Sequence, residues 1–218
     1  VGSEMCIRDR AMAHNGNLVN IGALRRGVTG PNAGPECTDS ELALQSVVQA
    51  PGSSWADKVA HAMRRMDGSY CLVMLTPSQL IACRDPLGVR PLCLGRYKRG
   101  WVVASESCAL ETIGAEYVRE VEPGELIVID ADGVHTQHPV EPRPRATCVF
   151  EYIYFARPDS VIAGRSVYEA RYEMGRQLAR EHPVEADVVI GVPDTSTPAA
   201  AGYAEESGLP FREGLIKN

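Results

Sequence analysis

The stretch Cys148–Leu178, CVFEYIYFARPDSVIAGRSVYEARYEMGRQL, separates two kinds of sequence. Phe150, Tyr152, Ile153, Tyr154 and Phe155 form an aromatic and β-branched run suited to a buried strand, and Pro158-Asp159-Ser160 ends it with turn chemistry. A helix follows. Ser166 and Glu169 have capping-box spacing, and Val167, Ala170, Met174 and Leu178 recur on one helical face.

Upstream of this junction the pattern predicts two helices and then many strands. Thr38-Asp39-Ser40-Glu41 opens a helix with Leu44, Val47 and Val48 as its apolar stripe, and a second runs from Trp55 to Met66. Short β-rich runs at 70–75, 80–83, 91–97, 101–104, 117–121 and 125–129 are separated by Pro, Gly and Asp turns. Stacked sheets with helices outside are the expected architecture. The Gly-, Pro- and Asn-rich segment between Ile21 and Pro35 reads as a loop. Downstream, Asp187–Val192 (DVVIGV) has the continuous apolar character of a central parallel strand buried on both faces, with residues 199–207 helical after it.

Composition narrows the function. A chain of 218 residues fits one large or two modest domains, and two is the reading adopted. A formal charge of −6 argues against a generic nucleic-acid binder, so the expected partners are small molecules. Seven cysteines without a C-x-x-C pair fit reduced thiols in a cytoplasmic protein better than a disulfide scaffold. No apolar run approaches bilayer-spanning length, so no membrane partner is expected.

Several motifs carry chemistry. In His14-Asn15-Gly16-Asn17-Leu18 an Asn amide and a Gly backbone N–H can converge as an oxyanion hole, although Asn-Gly is also a common hairpin signal. His14 reads as packing or hydrogen bonding. Asp39, at the start of that helix, reads on position alone as a residue that complements the helix dipole. Asp85–Leu92 reads as a structural turn across which Asp85 and Arg90 could pair. His135-x-x-His138 lacks carboxylate or cysteine companions and reads as two surface histidines. The hydroxyl-rich loop 193–198 at a helix start could hold phosphate or a hydrated metal, or be an ordinary βα turn.

FEYIYFARPDS at 150–160, with SVY at 166–168 and Met174-Gly175, resembles the domain junction of the amidophosphoribosyltransferase family. The resemblance extends from Ala13 to Asn218 and thins between Ile21 and Pro35. It implies an α+β fold: a four-layer αββα class II glutamine amidotransferase domain at 13–147, like N-terminal nucleophile hydrolases, then the start of an α/β type I phosphoribosyltransferase domain at 148–218. Residues 1–12 read as a non-native leader. The implied activity uses glutamine-derived ammonia to displace pyrophosphate from phosphoribosyl pyrophosphate, forming 5-phosphoribosylamine in purine synthesis. By the same resemblance Asn15 and Gly16 form the oxyanion hole, Asp39 binds the glutamine α-amino group, Thr195 belongs to a Mg²⁺ site, and Cys148 corresponds to a [4Fe–4S] ligand in one branch of the family. A homo-oligomer is implied for the whole enzyme. The family's N-terminal nucleophilic cysteine has no counterpart at Val1, so the 218 residues alone are expected to be inactive. Another class II amidotransferase and a non-catalytic fragment are the alternatives.

Overall fold

The computed structural model describes residues 3–7, 10–29, 34 and 36–217, the first of these spans by its backbone alone. The chain packs as two compact units, Val1–Ser105 with Gly114–Thr147, and Glu106–Ile113 with Cys148–Asn218. No helix among the described residues is long and apolar enough to cross a membrane.

The first unit contains β1 (Ser3–Ile7), β2 (Arg10–Leu18), α1 (Ile21–Arg26), α2 (Asp39–Val48), α3 (Trp55–Met63), β3 (Gly68–Leu75), β4 (Leu80–Arg84), β5 (Cys93–Tyr97) and β6 (Gly100–Ala104). After α4, which belongs to the other unit, come β7 (Glu116–Glu120), β8 (Leu126–Asp130) and β9 (Gly133–Gln137). One sheet has the order β1-β2-β3-β4-β8-β9 and the other β6-β5-β7, with every pairing antiparallel.

Strand alternation divides the core into two layers. Leu72 and Met74 of β3, with Leu126 and Val128 of β8, pack with Leu44 and Val47 of α2 and Met63 of α3. Their neighbours Cys71, Ile127 and Ile129 pack on the opposite side with Leu92, Leu94 and Val121. Helices, large sheet and small sheet therefore stack in that order. Strands buried on both faces read as continuous apolar runs, which is why β3 and β8 are plain in the sequence.

Both long helices of this unit start on reciprocal caps. The Thr38 hydroxyl accepts from the Glu41 amide while the Glu41 carboxylate accepts from the Thr38 amide, and Ser54 and Asp57 repeat the arrangement at α3. The segment read as a loop from Ile21 contains the short α1, anchored by buried Leu24; its residues 30–33 and 35 lie outside the described ones. The strand β9 was not separately expected. At the 85–92 turn the expected Asp85–Arg90 pair is replaced by two backbone-directed networks. The Asp85 carboxylate accepts from the amides of Tyr70, Leu87 and Val89. Arg84, fully buried, donates to the carbonyls of Gly88, Arg90 and Val121 and pairs with Glu120 at 3.3 Å. Burial pushes the Asp85 carboxyl above its ordinary value, against those three amides and the Arg84 charge.

The second unit holds α4 (Ser107–Thr112), the hairpin β10 (Val161–Ile162) and β11 (Arg165–Ser166), α5 (Val167–Glu181) and α6 (Thr197–Ser207). Side chains explain why residues 106–113 belong here. The Glu106 carboxylate accepts from the Arg157 amide and the Ser160 hydroxyl, and the Ser107 hydroxyl accepts from the Val161 amide.

The strand expected at 150–155 is instead a π-helical turn over Glu151–Phe155, with Phe150, Ile153, Tyr154 and Phe155 exposed. A tertiary contact overrides the local pattern. Arg171 of α5, buried, donates to the carbonyls of Tyr152 and Ala156, and the Tyr152 hydroxyl donates to the Ile162 carbonyl. These bonds satisfy groups that an extended chain would direct elsewhere. DVVIGV also departs from its expectation: it forms a single parallel bridge, Val189 to Phe211, and Val188, Ile190 and Val192 are exposed.

Two glycines set the spacing of α5 and α6. A methyl group at Gly175 would lie 1.8 Å from the Ala199 carbonyl oxygen, and one at Gly202 would lie 2.0 Å from that of Tyr172. The helices cross at backbone contact, fastened outside by Arg176 and Arg180 on Glu206.

Candidate active site

The HNG motif lies within β2 rather than in a hairpin turn, running antiparallel to β3 with Asn15 opposite Cys71 and Gly16 opposite Tyr70. Gly16 is required by proximity, since a Cβ there would sit 2.1 Å from the Ser69 carbonyl oxygen. Asn15 and Gly16 are half-buried. Adjacent in sequence, they offer a side-chain amide and a backbone N–H, the donor types that stabilise an oxyanion.

His14 faces the helix layer together with Met12 and Leu18, and its ring is only 3 % exposed. There β2 meets the start of α2. His14 Nδ1 is 2.9 Å from Ser40 Oγ and 3.9 Å from Asp39 Oδ2. Asp39 Oδ2 accepts from the Leu18 amide at 3.2 Å, and Oδ1 accepts from the Ser40 amide at 2.8 Å. Because Thr38 and Glu41 perform the capping, Asp39 is free to turn back onto β2. Its side chain keeps 21 % exposure, enough to meet a solute.

Burial pushes the His14 imidazole below its ordinary value, against the Asp39 charge and the nearby Ser69 carbonyl, which both favour a proton. Nε2 makes no hydrogen bond of good geometry. His14 is packed and hydrogen-bonded, as its sequence reading expects; the partner Ser40 is what no sequence signal identifies.

The remaining sequence-derived residues lie apart. Cys71, although opposite Asn15, is buried and directs its thiol toward the carbonyls of Arg90 and Pro91. Thr195 belongs to the second unit, where it and Ser196 border an apolar cleft of about 450 Å³ lined also by Tyr154, Met174 and Leu178. The Asp194 carboxylate beside it is paired with Lys217 Nζ at 3.0 Å. Cys148 is a half-buried free thiol in that unit. Among the described residues no three His, Cys, Asp or Glu side chains gather as a metal site. His135 is the surface histidine expected, but it does have a carboxylate companion: Asp130 on the neighbouring strand, 3.3 Å away.

The sequence profile of the glutamine amidotransferase domain matches residues 5–112, a span that includes β2 and α2. The chain is 52 % identical over 217 residues to an amidophosphoribosyltransferase of Mycobacterium tuberculosis, covering 95 % of this chain and 41 % of that protein. An amidophosphoribosyltransferase of Archaeoglobus fulgidus is 48 % identical over 213 residues, with 95 % and 46 % covered. Among solved structures, the glutamine phosphoribosylpyrophosphate amidotransferase of B. subtilis, complexed with ADP and GMP, superposes with a TM-score of 0.89 at 40 % identity, covering all of this chain and 48 % of that one. The chain thus spans less than half the length of these relatives.

Proposed function

Because the chain belongs to the amidophosphoribosyltransferase family and carries its glutamine amidotransferase fold, we propose that its first unit is the glutamine site of an enzyme that transfers glutamine-derived ammonia to phosphoribosyl pyrophosphate. The product is 5-phosphoribosylamine, with pyrophosphate as leaving group. The observation that carries this reading is the docking of Asp39 onto β2 through the Leu18 amide, two residues beyond the Asn15-Gly16 pair. A ligand cation and a reacting carbonyl can thereby be held by neighbouring parts of one site.

In this scheme the Asp39 carboxylate accepts the α-ammonium of L-glutamine as a charge-assisted hydrogen-bond partner. The Asn15 amide and the Gly16 N–H donate to the side-chain carbonyl oxygen as it takes on negative charge during attack, which lowers the barrier because the donors are already oriented. In the same scheme these residues supply the glutamine pocket and the oxyanion donors. The second unit begins the phosphoribosyl half, with Thr195 contributing one hydroxyl towards a Mg²⁺ site and Cys148 one thiol towards a cluster. Neither is needed for glutamine binding.

Calorimetric titration of the chain with L-glutamine tests the pocket. Wild type should bind, and Asp39→Asn should weaken binding at least about tenfold, as expected for loss of one charged partner. Unchanged affinity in Asp39→Asn would remove Asp39 from the site. Glutamine-dependent pyrophosphate release from phosphoribosyl pyrophosphate by the longer protein tests the complete reaction.

A further inference from the structure

Asp39 is an unusual choice for a substrate carboxylate. It occupies the first position of a helix, where the dipole and free amides draw a carboxylate toward the helix axis and away from a ligand. Two oxygens accept backbone amides already, Leu18 on one and Ser40 on the other. The direction of its remaining lone pairs therefore decides whether an ammonium can be held.

From the positions of His14 and Ser40 we infer that they act as positioning residues for Asp39, a role that rests on the glutamine reading of this site. Ser40 follows Asp39 and is buried, with its hydroxyl 2.9 Å from His14 Nδ1 and 3.4 Å from Asp39 Oδ1. The hydroxyl stands between ring and carboxylate. The hydroxyl thus links the ring to Asp39 Oδ1, the oxygen that also accepts the Ser40 amide, and holds that oxygen against α2, while Oδ2 accepts the Leu18 amide and faces β2. His14 is fixed by its strand and by the packing of Met12 and Leu18 beside it, so the relay refers Asp39 to β2, the strand that also carries Asn15 and Gly16. One strand sets both the ammonium acceptor and the oxyanion donors. A ring held only to pack would require no polar neighbour on Nδ1, and an apolar side chain of similar volume would serve as well.

The test compares L-glutamine with glutaramate, the same molecule without its α-amino group, by calorimetry at pH 7.5. Wild type should prefer L-glutamine. His14→Leu and Ser40→Ala should each reduce that preference about five- to tenfold while leaving the glutaramate affinity within twofold. His14→Asn, whose amide can occupy the Nδ1 position, should restore most of it. Equal weakening of both ligands, or a fall in melting temperature with the preference intact, overturns the inference and makes the pair structural. If a variant fails to fold, Ser40→Cys keeps the side-chain volume and provides the same comparison with a weaker donor. Asp39→Asn separates the two levels: a preference unaffected by that change overturns the glutamine reading itself. A preference lost there but kept in both His14→Leu and Ser40→Ala overturns only the positioning role.

Discussion

Two apolar runs of almost the same composition, LIVID at 126–130 and DVVIGV at 187–192, meet opposite fates. The first is β8, bonded to β4 on one side and β9 on the other, with Leu126 to Ile129 all buried. The second makes one parallel bridge and leaves Val188, Ile190 and Val192 exposed. Branched side chains permit a strand, but flanking backbone partners and a covered face are what make one. Burial follows from the neighbours, and β-propensity measures little else.

Hydrogen exchange should separate the two runs most sharply. Amides of β8 should exchange at least about a thousandfold more slowly than those of 187–192, because opening free energies range from near zero to the global stability. Equal rates would show that the second run has acquired a full sheet.

Truncating the cores comes next. Leu126→Ala should destabilise the first unit by about 2–5 kcal/mol, whereas Ile190→Ala should cost under about 1 kcal/mol in a chemical-denaturation series. A large effect at Ile190 would erase the contrast. Gly16→Ala probes the sheet beside the site, and the forced retreat of the Ser69 carbonyl should cost about 1–3 kcal/mol and also weaken glutamine binding.

The smallest effect concerns acid. Burial raises the Glu125 carboxyl, but the bidentate Arg119 guanidinium and the Glu122 amide outweigh it and hold the group below its ordinary value. The folded state therefore binds the Glu125 proton less readily than the unfolded chain does. The resulting stability is complete above the ordinary glutamate range and is lost as pH falls through the folded value. Arg119 is partly exposed, so Glu125→Gln should cost only about 1 kcal/mol at pH 7, and that difference should shrink below pH 4 in denaturation curves.

The same contrast marks where the sequence was legible. The cap at Thr38 and Glu41, the strands β3 and β8 and the turn after Phe155 depend on residues close in sequence or on burial of both faces. The helical turn at 151–155 depends on Arg171, and residues 106–113 join the second unit through Glu106 and Ser107 bonding to Arg157, Ser160 and Val161. No local period encodes such partners. At the site, Asn15, Gly16 and Asp39 were readable as motif residues, while the His14–Ser40 bond joins positions whose proximity only the docking of α2 on β2 creates. Arg84 escaped notice for a related reason: a lone arginine at a strand end gives no sign that carbonyls from residues 88 to 121 will close around it.

The glycine crossing of α5 and α6 constrains how this chain can evolve. Gly175 and Gly202 each admit the other helix's backbone, so the first methyl introduced at either place must force the pair apart. Once they have separated, a second methyl meets less resistance. Gly175→Ala and Gly202→Ala should therefore show strong epistasis, with the double variant less damaged than the sum of the singles. A lineage crossing that barrier would pass through a harmful intermediate, and the loop carrying Thr195 would be displaced along with α6.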